Sequence, residues 1–212
     1  MTSYFESRFS YDPKRTLVWK QIVSYLQPHY IPLDATIVEL GAGYCDFINQ
    51  ISAKQKYAVD IWEGIHQYAN PSVKVLCQSA SHLDILESNT IDVVFASNVF
   101  EHFSKEEFHL SLQEVNRVLT PHGRLIIIQP NYTYCYATYF DDYTHQLIFS
   151  HVSMGDILTF HGFKLEVVKP RFLPFSMKSK LPKLSWLIWL YLRMPYRPLA
   201  KQFLMIAQKA QS

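Results

Sequence analysis

The stretch Thr36-Ile-Val-Glu-Leu-Gly-Ala-Gly-Tyr-Cys-Asp46 constrains the fold of this chain more than any other. A β-branched run from Thr36 to Val38 leads into an acid, Glu39, then into Gly41 and Gly43, and a helical pattern carrying Ile48 and Ile51 starts at Asp46. The order is strand, tight turn, helix. Residues without a Cβ let the backbone bend sharply and come close to a ligand, so the turn is suited to holding one. Asp46 is placed to cap the helix, whose free N–H groups attract negative charge. A turn with no ligand is the plain alternative, and the rest of the chain decides between them.

The 212 residues, 49% of them hydrophobic, suffice for one domain with a substantial core. Cys45, Cys77 and Cys135 are odd in number and lie far apart with no Cys-x-x-Cys spacing, so no metal site is expected and a reducing, cytoplasmic setting fits. The N-terminus lacks the apolar core of a signal peptide, and no stretch stays apolar for the ~18 residues that a membrane span needs. Charge is unevenly spread. Lys164 to Ser212 carries ten Lys or Arg against one acid, net +9, whereas the remainder carries ten basic and seventeen acidic residues, net −7. That basic tail can dock on the acidic body or meet a negatively charged partner.

From Asp12 and Pro13 onward, Val18, Ile22 and Leu26 recur at helical spacing, and Pro28 and Pro32 are expected to break the helix. Tyr57–Asp60, Val73–Cys77, Ile91–Asn98 and Arg124–Gln129 read as strands two to five. Ser104-Lys-Glu-Glu107 is a capping box opening a helix with Phe108, Leu112, Val115 and Leu119 on one face, which Pro121 and Gly123 stop. A further helix spans Ser150 to His161, and Phe163–Lys169 and Gln202–Ala207 are the last two strands. Alternation of strand and helix through the first five strands implies a doubly wound, mostly parallel α/β sheet of seven strands. The expected organisation is a helical cap over residues 1–35, an α/β core over 36–170, and a basic aromatic insertion plus last strand over 171–212, part of the same domain.

In such sheets a ligand sits beyond the carboxyl ends of the strands. Every chemically suggestive motif falls there: Gly41 and Gly43 after strand one, Asp60 ending strand two, twenty-one residues beyond Glu39, and Asn98 with Glu101-His102 after strand four. An acid at the end of strand two is placed to accept both hydroxyls of a ribose.

These motifs resemble the class I S-adenosylmethionine-dependent methyltransferases, over roughly Ile37 to Phe163. Glu39-Leu-Gly-Ala-Gly-Tyr-Cys45 is similar to the acid-x-Gly-x-Gly-x-Gly pattern of that family, with Cys45 in place of the third glycine. Ala96-Ser-Asn-Val-Phe-Glu-His-Phe103 and Gly123-Arg-Leu-Ile-Ile-Ile-Gln-Pro-Asn131 resemble its fourth- and fifth-strand motifs. The resemblance implies a Rossmann-like methyltransferase fold with an antiparallel last strand, S-adenosyl-L-methionine as cofactor and S-adenosyl-L-homocysteine as product. It assigns the methionine end to Glu39, Gly41, Ala42 and Gly43, the ribose to Asp60, and the adenine to Ile61 or Trp62. Ser79 and Ala80 would lie at the adenine amino group, where the family often has an acid, and Asn98 near the methyl-bearing sulfur.

His102 and His145 are the candidate general bases, with Asp141 or Asp142 placed to orient His145. The rings of Tyr132, Tyr134, Tyr136, Tyr139, Phe140 and Tyr143 would line an acceptor pocket or pack beneath a lid. The segment Trp186-Leu-Ile-Trp-Leu-Tyr-Leu192, flanked by Lys178, Lys180, Lys183, Arg193 and Arg197, reads as a helix that covers the acceptor cleft, makes a homodimer contact, or lies on anionic lipid at the membrane surface. The expected reaction is methyl transfer to oxygen or nitrogen of a small molecule, anionic or lipid-linked. Nucleic acid is not expected as a partner, because the tryptophans and leucines of the tail resemble a packed helix more than a backbone-tracking groove. A nicotinamide-dependent oxidoreductase shares the strand, turn and ribose acid, and a non-catalytic binder of the same fold is the remaining alternative.

Overall fold

The computed structural model describes Asp12 and residues 15–174 and 184–210. Seven strands, β1 (Thr36–Leu40), β2 (Gln55–Asp60), β3 (Val73–Cys77), β4 (Ile91–Ser97), β5 (Leu119–Pro130), β6 (Phe163–Pro174) and β7 (Ala200–Lys209), form one sheet. Their order is β3-β2-β1-β4-β5-β7-β6. The first five strands run parallel, and β7 is antiparallel to both β5 and β6. The sequence reverses direction between β1 and β4, which opens a crevice at their carboxyl ends.

Side chains alternate across each strand, so the sheet needs cover on both faces. Val38, Leu40, Val94, Ala96, Leu125 and Ile127 meet α2 (Lys105–Val118) and α4 (His151–Phe160), which bury Phe108, Leu112, Val115, Met154 and Leu158. Ile37, Val93, Phe95, Ile126 and Ile128 meet α1 (Arg15–Tyr30) and α5 (Ser185–Arg193) through Trp19, Ile22, Leu26 and Leu192. Each fully buried aliphatic or aromatic side chain of this kind contributes about 1.5–3 kcal/mol relative to exposure. The capping box of α2 forms as expected, Ser104 accepting from the Glu107 N–H while the Glu107 carboxylate accepts from the Ser104 N–H. The short α3 (Tyr132–Cys135) follows β5.

Several expectations are corrected. The segment after the glycine turn is a run of turns over residues 43–50 rather than a regular helix. Cys45 there has φ +56°, and the Ile48 N–H donates to Glu39 Oε2 at 3.0 Å instead of to a carbonyl one turn back. Asp46 accepts from Arg15 Nε at 2.7 Å rather than serving as a cap. Pro28 lies inside α1, which runs on to Tyr30. β5 starts five residues before Arg124, so Pro121 and Gly123 sit in its irregular first part, where a Cβ on Gly123 would stand 2.9 Å from the Thr120 carbonyl oxygen.

Candidate active site

The bend after β1 depends on Gly41 and Gly43, at φ +62° and +49°. It is pressed against the loop after β4: a Cβ on Gly41 would lie 2.4 Å from Val99 Cγ2. Parallel pairing of β1 with β2 brings Asp60 to the same place. The Gly43 N–H donates to Asp60 Oδ2 at 2.8 Å, and the Trp62 N–H donates to Asp60 Oδ1 at 2.9 Å. Each carboxylate oxygen therefore spends one lone pair on the backbone and keeps another for a ligand hydroxyl.

Glu39, 5% exposed, lies beneath the turn and ties it down through the Ile48 N–H. Burial first, then the charges of Asp46 and Asp60, pushes its carboxyl well above the usual range, against the Ile48 hydrogen bond. A cationic ligand group nearby would reverse that balance. Cys45 takes the left-handed conformation that the family pattern gives to a glycine, at a cost of roughly 1–2 kcal/mol for a residue with a Cβ. Its buried thiol is pushed up by desolvation and then by Glu39, so it is no nucleophile.

Beside Asp60 the Trp62 ring stacks on Tyr68 with centroids 5.7 Å apart and meets Tyr44 edge-on at 5.6 Å. Gly64 leaves room for that ring, since a Cβ there would fall 2.2 Å from it. Of the two residues expected near adenine, Trp62 belongs to this aromatic wall, while Ile61 is 79% exposed. Ser79 Oγ lies 2.8 Å from Ser81 Oγ within its own loop, and Ala80 is buried in the core.

A second group gathers at the ends of β4 and β5. Asn98, exposed and at φ +54°, accepts from Gln202 Nε2 at 2.6 Å. The one-turn helix Phe100–His102 places Glu101, 1% exposed, against Gln129, whose Nε2 donates to Glu101 Oε2 at 2.6 Å. Desolvation pushes Glu101 up to about 8. The rings of His102 and His145 lie with centroids 5.0 Å apart. His102 is lowered by burial and then by His145, so the neutral imidazole is favoured. Asp142, expected to orient His145, accepts the Thr144 hydroxyl at 2.7 Å, and Thr144 Oγ1 stands 2.9 Å from His102 Nδ1. His145 Nδ1 is 2.7 Å from the Tyr139 carbonyl oxygen.

The aromatic loop divides. Tyr139 is fully buried and bonds the Leu147 carbonyl through its hydroxyl, whereas Tyr136, Phe140 and Tyr143 are exposed. Sequence reasoning singled out neither Gln129, Thr144 and Gln202 nor the aromatic partners Tyr44 and Tyr68. In α5 only Leu192 is fully buried, and Trp186, Trp189 and Leu190 are exposed. Arg193 lies over Trp189 at 4.4 Å, and Arg197 is buried against the Leu192 carbonyl. Lys178, Lys180 and Lys183 fall outside the described residues. No helix among the described residues is long and apolar enough to cross a membrane.

With this geometry in place, residues 38–127 match a family model described as a methyltransferase domain. Similar solved structures include an S-adenosylmethionine-dependent methyltransferase from Archaeoglobus fulgidus (21% identity, TM-score 0.70, covering 98% of this chain and 100% of that one). Another is the 1,6-didemethyltoxoflavin-N1-methyltransferase of Burkholderia thailandensis, solved with 1,6-didemethyltoxoflavin and S-adenosylhomocysteine (16%, TM-score 0.62, 99% and 84%). A third is a Haloferax volcanii methyltransferase in complex with the Trm112 activator (13%, TM-score 0.68, 92% and 90%). No curated protein matches the sequence. The fold and the turn are those of a Rossmann-like methyltransferase, with the antiparallel β7 that sets it apart from a dehydrogenase sheet. Over residues 38–127 the chain is similar to the methyltransferase-domain family, and its fold is that of S-adenosylmethionine-dependent methyltransferases. Its residues fit that cofactor: a carboxylate with lone pairs to spare, a turn with exposed Gly41, and an aromatic wall converge in one place.

Proposed function

We propose that the chain methylates oxygen or nitrogen of a small, polar acceptor, anionic or lipid-linked, held above the ends of β4 and β5. One observation supports the reading: the buried polar side chains Glu101, Gln129 and His145 gather with His102 at the ends of β4 and β5, a setting that suits one compact polar group.

When bound, S-adenosyl-L-methionine supplies an electrophilic methyl group on a sulfonium and leaves as S-adenosyl-L-homocysteine. Asp60 would hold the ribose hydroxyls, Trp62 would flank the adenine, and Glu39 with the turn Gly41-Ala-Gly43 would hold the methionine end. Ser79, Ala80 and Ile61 would contribute backbone more than side chain. Asn98, steadied by Gln202, would border the space between donor and acceptor. His102 and His145 are the candidate receivers of the acceptor's proton. Alignment of the two reactants contributes ~7–11 kcal/mol, whereas a positioned base adds about two to four powers of ten in rate.

The test is to incubate the purified chain with tritium-labelled methyl donor and a nuclease-free cell extract, then to separate small metabolites, lipid, protein and RNA. Label is expected in the metabolite or lipid fraction. Label confined to RNA or protein would overturn the proposed acceptor class.

A further inference from the structure

We propose that Glu101, His102 and His145 form a binding site for a divalent first-row transition-metal ion at the acceptor side of the cleft. One ligand atom from each of the three residues lies within 4.8 Å of the other two. Two imidazoles and one carboxylate are a donor set that such ions favour, and three protein ligands leave a coordination position open.

The hydrogen bonds fix which nitrogen of each ring carries the proton. His145 Nδ1 faces the Tyr139 carbonyl, which can only accept, so the proton sits on Nδ1 and the lone pair on Nε2. Thr144 donates its hydroxyl proton to Asp142, so its oxygen accepts from His102 Nδ1–H and again puts the lone pair on Nε2. Histidine ligands of metals are oriented in this way, by a carbonyl or a carboxylate relay on the far nitrogen.

The two chain segments are also stapled together. Gln146 N–H and Leu147 N–H both donate to the Glu101 carbonyl, at 2.7 and 3.1 Å, and Gln146 Nε2 donates to the His102 carbonyl at 2.9 Å. Ligands that lie 43 residues or more apart in sequence are thereby held in register before any ion arrives. A second observation points to a missing group. Gln129, fully buried, donates to Glu101 through Nε2, while its Oε1 has no hydrogen-bond partner among the described residues. A water on the ion would supply that donor. His102, less buried than its two companions, marks the way in.

This inference rests on the methyltransferase reading only for its role: the ion would hold an acceptor oxygen in its open position, and the two histidines would serve as ligands rather than as bases. The test uses the full chain stripped with EDTA and titrated with Zn²⁺ by calorimetry, with S-adenosylhomocysteine titrated separately. One Zn²⁺ per chain is expected, weakened at least about 100-fold in Glu101→Gln and in His145→Gln, with binding of the homocysteine product retained as evidence of an intact fold. The exposed pair His109 and His161, 2.8 Å apart, is the control, and His109→Asn should leave Zn²⁺ binding unchanged. No Zn²⁺ binding by the wild type, or binding that survives Glu101→Gln and disappears in His109→Asn, would overturn the proposal. Zn²⁺ binding without product binding would uphold the metal site and remove the methyltransferase reading.

Discussion

Gly41 shows how much one residue decides. Its left-handed φ and the Val99 methyl 2.4 Å from where a Cβ would sit exclude any side chain. Gly41→Ala should therefore cost more than the ~1–2 kcal/mol of the backbone conformation alone and should abolish product binding. Urea unfolding reads the first effect and calorimetry the second; a variant as stable as the parent would contradict the account. Cys45 makes the complementary point, because the backbone keeps the left-handed path at that position without a glycine. That Gly41, Gly43, Asp60 and Glu39 meet at strand ends was legible in the sequence, because residue type there is tied to backbone geometry. Glu101-His102 was placed at a strand end in the same way, but nothing in Asn98-Val-Phe-Glu-His102 discloses that Gln129 and His145 come alongside. A relay that the sequence did not disclose runs from Asp142 through Thr144 to His102, forty residues away.

At the level of elements, patterns with a single cause were read correctly. The capping box of α2 lies in four consecutive residues, and the apolar run of β4 is what burial on two faces requires. The helix expected after the glycine turn failed because Glu39, seven residues before it, captures the Ile48 N–H, a tertiary contact that local propensity does not contain. Strand ends were underestimated for β6 and β7, where pairing between the two carries both strands past the alternating stretch. α5 packs on α1 but leaves Trp186 and Trp189 exposed. If it brings the cleft to a lipid-linked acceptor, the chain should co-sediment with anionic vesicles at low salt, weaken as salt rises, and lose binding in the double variant Trp186→Ser, Trp189→Ser. Equal sedimentation of parent and variant would contradict this role. Loss of a dimer in the variant, with no vesicle binding by the parent, would assign the face to a second copy of the chain.

For the whole molecule, alternation of strands and helices was enough to imply the parallel sheet, and the last two strands its antiparallel edge. Which helices cover which face was not legible, because α1 and α5 come from distant parts of the chain and pack together only in the folded molecule, Arg193 lying over the Tyr25 ring. The same long-range assembly gathers the site residues: β1 and β2 deliver the turn and Asp60, while β4 and β5 bring Glu101 and Gln129 together. The central claim is that the carboxylate of Asp60 and the bend at Gly41 and Gly43 together grip one adenosyl ligand. Calorimetry with S-adenosylhomocysteine on the parent chain and on Asp60→Ala tests it most directly. The account predicts one binding site per chain, with heat that disappears in the variant while its melting temperature stays close to the parent's. A parent that does not bind, or a variant that binds equally well, would contradict it.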